Sequence, residues 1–308
     1  MFLGSATSHR DDIRYVPKYV VAQSGSGSLK TNVSTDGISW TQYTSSSNGV
    51  QQIIYGNGRY VRLFQGVPGN TFIQISYDGI TWINSSFLLS LNQGCVDICY
   101  GNGKFVIVFD TGLTTLPPDF AYSSDGLNWI SGYLPNRYYD NAKRDISFGS
   151  GYFISGQSKD TTPPYINKIE ISNDGTVWNS STLPSSAYSW TSFSGNNKLF
   201  AKHDLSNTYV SDDFGTTWPN TTAYLPTVFG NGTYLSLILT SIHTSTNLIT
   251  WTARSNPYSL NNIIFANGQF IGVDITGTTV AVSGDGVTWT ALTTTAPNLA
   301  SSAGIAFG

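Results

Sequence analysis

"IIYGNGRYVRLFQGVPGNTFIQISYDGITWINS", residues 53 to 85, carries two hairpin signals separated by one loop. Asn57-Gly58 and Asp78-Gly79 are each flanked by β-branched and aromatic residues, the setting in which a tight turn with positive φ joins antiparallel strands. The stretch therefore reads as four strands, A to D: "IIYG", "RYVRLF", "FIQISYDG" and "ITWINS". The Asn-Gly turn joins A to B, and the Asp-Gly turn joins C to D.

The second half of this unit returns along the whole chain. "STDGISW" (34 to 40), "SSDGLNW" (123 to 129), "SNDGTVW" (172 to 178), "SDDFGTTW" (211 to 218), "STNLITW" (245 to 251) and "SGDGVTW" (283 to 289) repeat "SYDGITW" (76 to 82). Their tryptophans stand 33 to 49 residues apart, about one four-stranded propeller blade. The first half keeps the same phase: "ICYGNGKFV" (98 to 106), "ISFGSGYFI" (146 to 154), "FSGNNKLF" (193 to 200), "VFGNGTYL" (228 to 235) and "IIFANGQFI" (263 to 271). It has six copies against seven tryptophan motifs, and the missing copy is split between the chain ends. "GIAFG" (304 to 308) supplies its inner strand, and "KYVVAQ" (18 to 23) supplies the strand after the turn.

The expected fold is therefore all-β: a seven-bladed β-propeller of four-stranded antiparallel blades, closed by residues 304–308 joining blade 1. Sharing a blade between the two ends leaves only short, protected edges. Residues 14–308 form this single domain, and residues 1–13 a polar amino-terminal arm. No segment has sustained helical periodicity.

Composition narrows the function. Charged residues make up 11% and aromatic residues 14% of the 308, with a formal net charge of −3. A nucleic-acid footprint would need a basic cluster, and none is present. The longest apolar runs are strand-sized, so membrane insertion is not expected. Cys95 and Cys99 lie four apart in a strand, roughly 13 Å, beyond the reach of a disulfide. His9, His203 and His243 are scattered, so neither a metal site nor a cofactor is implied. The opening "MFLGSATSHRDDI" lacks the charged start and apolar core of a secretory signal. A Ser-, Thr-, Asn- and Gly-rich chain whose one glutamate is Glu170 nevertheless suits an exterior. The expected location is a virion or extracellular surface reached without a signal peptide.

"SDDFGTTW" resembles the full Asp-box of bacterial-neuraminidase-type repeats, and the six shorter copies extend the likeness over nearly the whole chain. The alternation of G-N-G-x-[FY] with S-x-D-G-x-x-W also resembles repeat propellers of phage virion and tail proteins and of bacterial surface proteins. Such boxes are read here as structural: Asp36 with Trp40, Asp78 with Trp82, Asp125 with Trp129, Asp174 with Trp178, Asp213 with Trp218, Asn247 with Trp251 and Asp285 with Trp289. A turn carboxylate accepts backbone N–H groups, and the indole buries against the neighbouring blade. Asn247 can still accept those bonds, whereas a proton-transfer role would not survive the change. Sialidase likeness would imply three arginines converging on a substrate carboxylate, a Tyr-Glu pair and an Arg-Ile-Pro element. The chain has seven arginines and no Arg-Ile-Pro, so the resemblance to sialidases covers the fold and not the catalytic set.

Function is sought where the repeats differ. A–B and C–D turns share one face and are nearly uniform, while the B–C loops and D–A connections on the other face vary, and variable loops on a rigid scaffold are where binding usually resides. "SGYLPNRYYDNAKRD" (131 to 145) brings Arg137, Tyr138, Tyr139, Asp140, Arg144 and Asp145 into one connection. Asp97, Tyr188 and Trp190 enter inner strands from the same face. Aromatic faces with planar hydrogen-bonding groups suit sugar rings; the competing reading has the tyrosines covering a blade edge, the charges solvating the loop and Trp190 plugging the channel. The sequence points to a non-enzymatic recognition or structural module, a phage virion or tail surface protein that binds a host-surface glycan or docks to other virion proteins. The alternatives are a glycan-active hydrolase of sialidase-like type using Asp97, Asp140 or Asp145, and a bacterial surface lectin-like propeller.

Overall fold

Asn57 and Gly58 adopt φ of 46° and 74°, and Asn102 and Gly103 adopt 44° and 78°, so the paired positive φ expected of the A–B turns is present. The computed structural model describes residues 18–23, 30–44, 50–64, 73–85, 87, 95–109, 118–136, 144–157, 166–187, 190–203, 208–238, 241–274, 279–292 and 302–308. The arm 1–13 lies outside them. The strands assemble into seven four-stranded antiparallel sheets, and no helix occurs among the described residues.

Ring closure is as the sequence implied. Ser302–Phe307 is the inner strand of blade 1. It pairs antiparallel with Tyr19–Gln23, with Phe307 opposite Tyr19 and Ile305 opposite Val21. Lys18 and Gly308 exchange backbone hydrogen bonds at 2.6 and 3.1 Å.

One strand runs further than its sequence suggested. "STLPSSAYSW" reads as a D–A connection, yet the outer strand of blade 4 spans Asn179–Ala187. Its register shifts between the Lys168↔Thr182 and Ile166↔Ala187 pairs, an irregularity that contains Pro184. An outer edge strand with a bulge can hold a proline, because no further strand needs its missing N–H.

The core lies between blades rather than in one centre. Seven buried clusters each combine side chains of two adjacent blades. Trp178 of blade 4, for example, packs with Val106, Val108 and Phe120 of blade 3. Trp218 of blade 5 packs with Ile169 and Leu183 of blade 4.

The two glycines of the G-N-G element do different work. Gly58 is needed for its backbone angle, since a Cβ there would meet nothing within 4 Å. Gly56 is needed for space: a Cβ would lie 2.2 Å from Tyr100 Cγ of the next blade. The same contact recurs with Tyr55 on Gly308, Phe148 on Gly101 and Phe265 on Gly230. Aromatic rings of successive inner strands thus seat on a bare backbone position of the blade before.

The turn asparagines stitch neighbours on this face. Asn102 Nδ2 donates to the carbonyls of Gly151 (3.0 Å) and Asn173 (2.6 Å), joining both turns of blade 4. Asn231 does the same to Gly268 and Gly284 of blade 7, each at 2.9 Å.

Candidate functional site

The S-x-D-G turns consume their own polar groups. In blade 1, Asp36 Oδ1 accepts from Ile38 N (2.8 Å), Ser39 N (2.7 Å) and Ser34 Oγ (2.9 Å). The N–H of Ser39 and then that of Ile38 hold the Asp36 carboxyl down at about 2. In blade 5 the Thr217 hydroxyl, then its N–H, holds Asp213 at about 2. For Asp125 burial works upward, but bonds from Asn128 and Leu127 outweigh it and leave the carboxyl well below its usual range. Asn247 Oδ1 accepts from Ile249 N and Thr250 N at 2.9 Å, so the amide reproduces the turn.

On the opposite face, the connection between blades 3 and 4 is fixed at both ends. At its start, Leu134 is buried and its N–H donates to Asp119 Oδ2 at 3.0 Å. Asn136 Nδ2 donates to Glu170 Oε1 at 3.1 Å, and Ser180 Oγ donates to Glu170 Oε2 at 2.7 Å. Burial pushes the Glu170 carboxyl up against the opposing pull of these bonds and of Arg144. At its end, Arg144 Nη2 lies 2.9 Å from Asp119 Oδ1 with both side chains 0% exposed. Arg144 Nη1 also donates to the Phe109 carbonyl at 3.1 Å, and its backbone bridges Gln157.

Asp145 and Asp97 complete this base. Asp145 Oδ1 accepts from Gly156 N at 2.7 Å. Asp97 Oδ1 accepts from Ile98 N and Oδ2 from Ile146 N of blade 4, both at 2.9 Å. Burial raises the Asp97 carboxyl to about 6 despite those bonds. The Cys99 thiol is pushed up first by burial and then by Asp97.

Asp97, Arg144 and Asp145, read from the sequence as ligand groups, therefore meet protein groups instead. They hold the described ends of the connection between blades 3 and 4, and residues 137–143 lie outside the described residues. Arg137, Tyr138, Tyr139, Asp140 and Tyr188 lie outside the described residues. Trp190 opens the inner strand Trp190–Gly195 of blade 5, as the sequence placed it, and its side chain also lies outside. Asp119 had no signal of its own; the pairing that gives it meaning comes from Arg144, which precedes the inner strand of the next blade.

Two further features adjoin the inner strands. Gln52 of blade 2 exchanges bonds with the backbone of Ile98 of blade 3, accepting at 3.0 Å and donating at 3.2 Å. Gly304 holds the matching place in blade 1, opposite Ala22. A hollow of 350 Å³ opens there, lined by Gln52, Tyr55, Asn262, Phe265, Gly304 and Phe307. Arg62 is buried, and among the described residues no carboxylate pairs with it. Its guanidinium lies 3.9 Å from the Trp82 ring centroid and 4.8 Å from that of Phe64, and burial lowers it to about 9. Among the described residues no group of three or more His, Cys, Asp or Glu is placed to hold a metal ion.

Fold and site together define a seven-bladed β-propeller with inter-blade cores, a face of tight turns and an opposite face on which the connection between blades 3 and 4 has both ends fixed. No protein-family model matches the chain, and no curated protein matches it. Among solved structures it is similar to YCF48 bound to a D1 peptide, with TM-score 0.57 and 12% identity over 80% of this chain and 83% of that one. It is also similar to streptogramin B lyase, with TM-score 0.57 and 13% identity over 84% and 87%. Apo AztD from Citrobacter koseri aligns with TM-score 0.55 and 9% identity over 95% and 98%. At such identities the likeness establishes the propeller and nothing finer.

Proposed function

We propose that the protein is a non-enzymatic recognition module of a virion or other external surface, a phage tail component being the setting the repeat pattern favours. It binds a host-surface glycan, or docks to neighbouring virion proteins, through the B–C and D–A loops. The observation that carries this reading is the use of the acids. Every described carboxylate is held by backbone N–H, amide, hydroxyl or cationic groups of the protein itself. A glycosidase needs a pair of carboxyl groups free to meet the substrate. The loop carrying Arg137, Tyr138, Tyr139 and Asp140 instead has its two ends tied to one buried aspartate, which pre-orders its base for binding.

The test is a glycan array probed with the purified chain, alongside incubation with chromogenic glycosides. Retention on a defined set of glycans without release of chromophore is expected. Turnover of a glycoside would contradict the non-enzymatic reading, and retention on no glycan would contradict the glycan reading.

A further inference from the structure

The box of blade 5 is one residue longer than the others, and the extra residue is Phe214. Its φ is +55°, an uncommon backbone state for a bulky side chain and a pointer to a local purpose. Leu248 shares the state at φ +66°, but Leu248 is buried in the core between blades 5 and 6. Phe214 is 36% exposed. Its ring stacks on Tyr152 of blade 4 with centroids 4.5 Å apart and planes 18° apart. Core packing therefore accounts for Leu248 and not for Phe214.

The stacked pair borders a hollow of 350 Å³ on the turn face, also lined by Asn173, Asn179, Ser180 and Thr216. The side-chain amides of Asn173 and Asn179 are exposed and meet no described hydrogen-bonding partner. Three carboxylates lie nearby and each is engaged by the protein: Asp213 accepts from Thr217 and Ser211, Asp174 from Thr176, Val177 and Ser172, and the buried Glu170 from Ser180 and Asn136. The hollow thus offers an aromatic face, free amide donors and acceptors, and no charge. An uncharged hexopyranose matches all three, with its C–H face on the ring and its hydroxyls on the amides. The equivalent hollow between blades 6 and 7 is 220 Å³ and has Thr233 where blade 4 has Tyr152, with no aromatic ring in its lining.

We propose that the cleft between blades 4 and 5 on the turn face is a binding subsite for one neutral hexopyranose unit, stacked on Phe214 and held by Asn173 and Asn179. It lies on the face opposite the loops and stands or falls separately from the reading given for them. The test is saturation-transfer NMR of the full chain with the methyl glycosides of glucose, galactose, mannose and N-acetylglucosamine. At least one is expected to bind saturably. Phe214→Ala and the double change Asn173→Ala/Asn179→Ala are each expected to weaken it at least tenfold, while Thr233→Ala in the smaller hollow between blades 6 and 7 leaves it unchanged. If Phe214→Ala fails to fold, the double change of the two exposed amides decides alone. Binding of none of the four glycosides, or binding that survives the amide changes, would overturn the proposal.

Discussion

Arg144 and Asp119 form an ion pair at 2.9 Å with neither side chain reaching solvent. Through its other oxygen, Asp119 also receives the N–H of Leu134. One carboxylate thus gathers both ends of the 134–144 connection. Arg144→Ala is expected to destabilise the fold by about 3–5 kcal/mol, since it strands a buried charge. Arg144→Met with Asp119→Leu is expected to recover most of that loss. A denaturant double-mutant cycle checks it, and simple additivity of the two single changes would contradict the pairing.

The S-x-D-G turn separates an acceptor from an anchor. Asp213→Asn keeps an oxygen for Thr217, as Asn247 already does in blade 6, so the turn is expected to form, with a fall in melting temperature limited to the loss of the charge and well below that of the tryptophan change. Trp218 is buried, and its Nε1 donates to Ser181 Oγ at 2.7 Å. Trp218→Ala is expected to cost about 3–5 kcal/mol, as loss of a large core side chain does. Thermal unfolding of the two variants is the measurement.

Spatial and conformational glycines respond differently. Gly56→Ala would drive a methyl to 2.2 Å from the Tyr100 ring, and such overpacking typically costs about 1–3 kcal/mol. Pairing it with Tyr100→Ala should relieve the clash. Gly58→Ala strains the turn at φ 74° with open space around it, so Tyr100→Ala should give it no relief. Urea unfolding of the four variants distinguishes the two cases.

Proton linkage sets opposite slopes on the two sides of a stability maximum. Asp36 and Asp213 are held at about 2, below their ordinary 3.8, so their contribution is present above 3.8 and is lost as pH falls through about 2. Asp97 is raised from 3.8 to about 6, so its contribution is complete below 3.8 and is lost as pH rises through about 6. Glu170 acts in the same direction as Asp97. The melting temperature is expected to peak between the two regions and to fall on both sides, with Asp97→Asn flattening the upper slope. A melting temperature that rises steadily from pH 4 to 7 would contradict this.

The propeller was legible because its signals are local and repeated. Asn57-Gly58 and Asp78-Gly79 report their turns without reference to anything distant, and seven phased copies leave little choice of fold. Closure was legible for the same reason, since "GIAFG" and "KYVVAQ" are halves of a known unit. The features that stayed hidden depend on neighbours far along the chain. Gly56 looks like part of a turn until Tyr100 is seen to occupy its missing side chain's place. Arg144 looks like a ligand group because Asp119, twenty-five residues earlier, carries no motif. The outer strand through Pro184 was hidden because proline ordinarily argues against a strand, and only an edge position excuses it.

The claim most central to function is that residues 137–143 recognise a partner while the base beneath them only holds them. Replacing 137–143 with a Gly/Ser segment of equal length tests it directly, with glycan-array retention and melting temperature read on the same preparation. The account predicts an unchanged melting temperature and lost retention. Retention equal to that of the parent, with the fold intact, would contradict it.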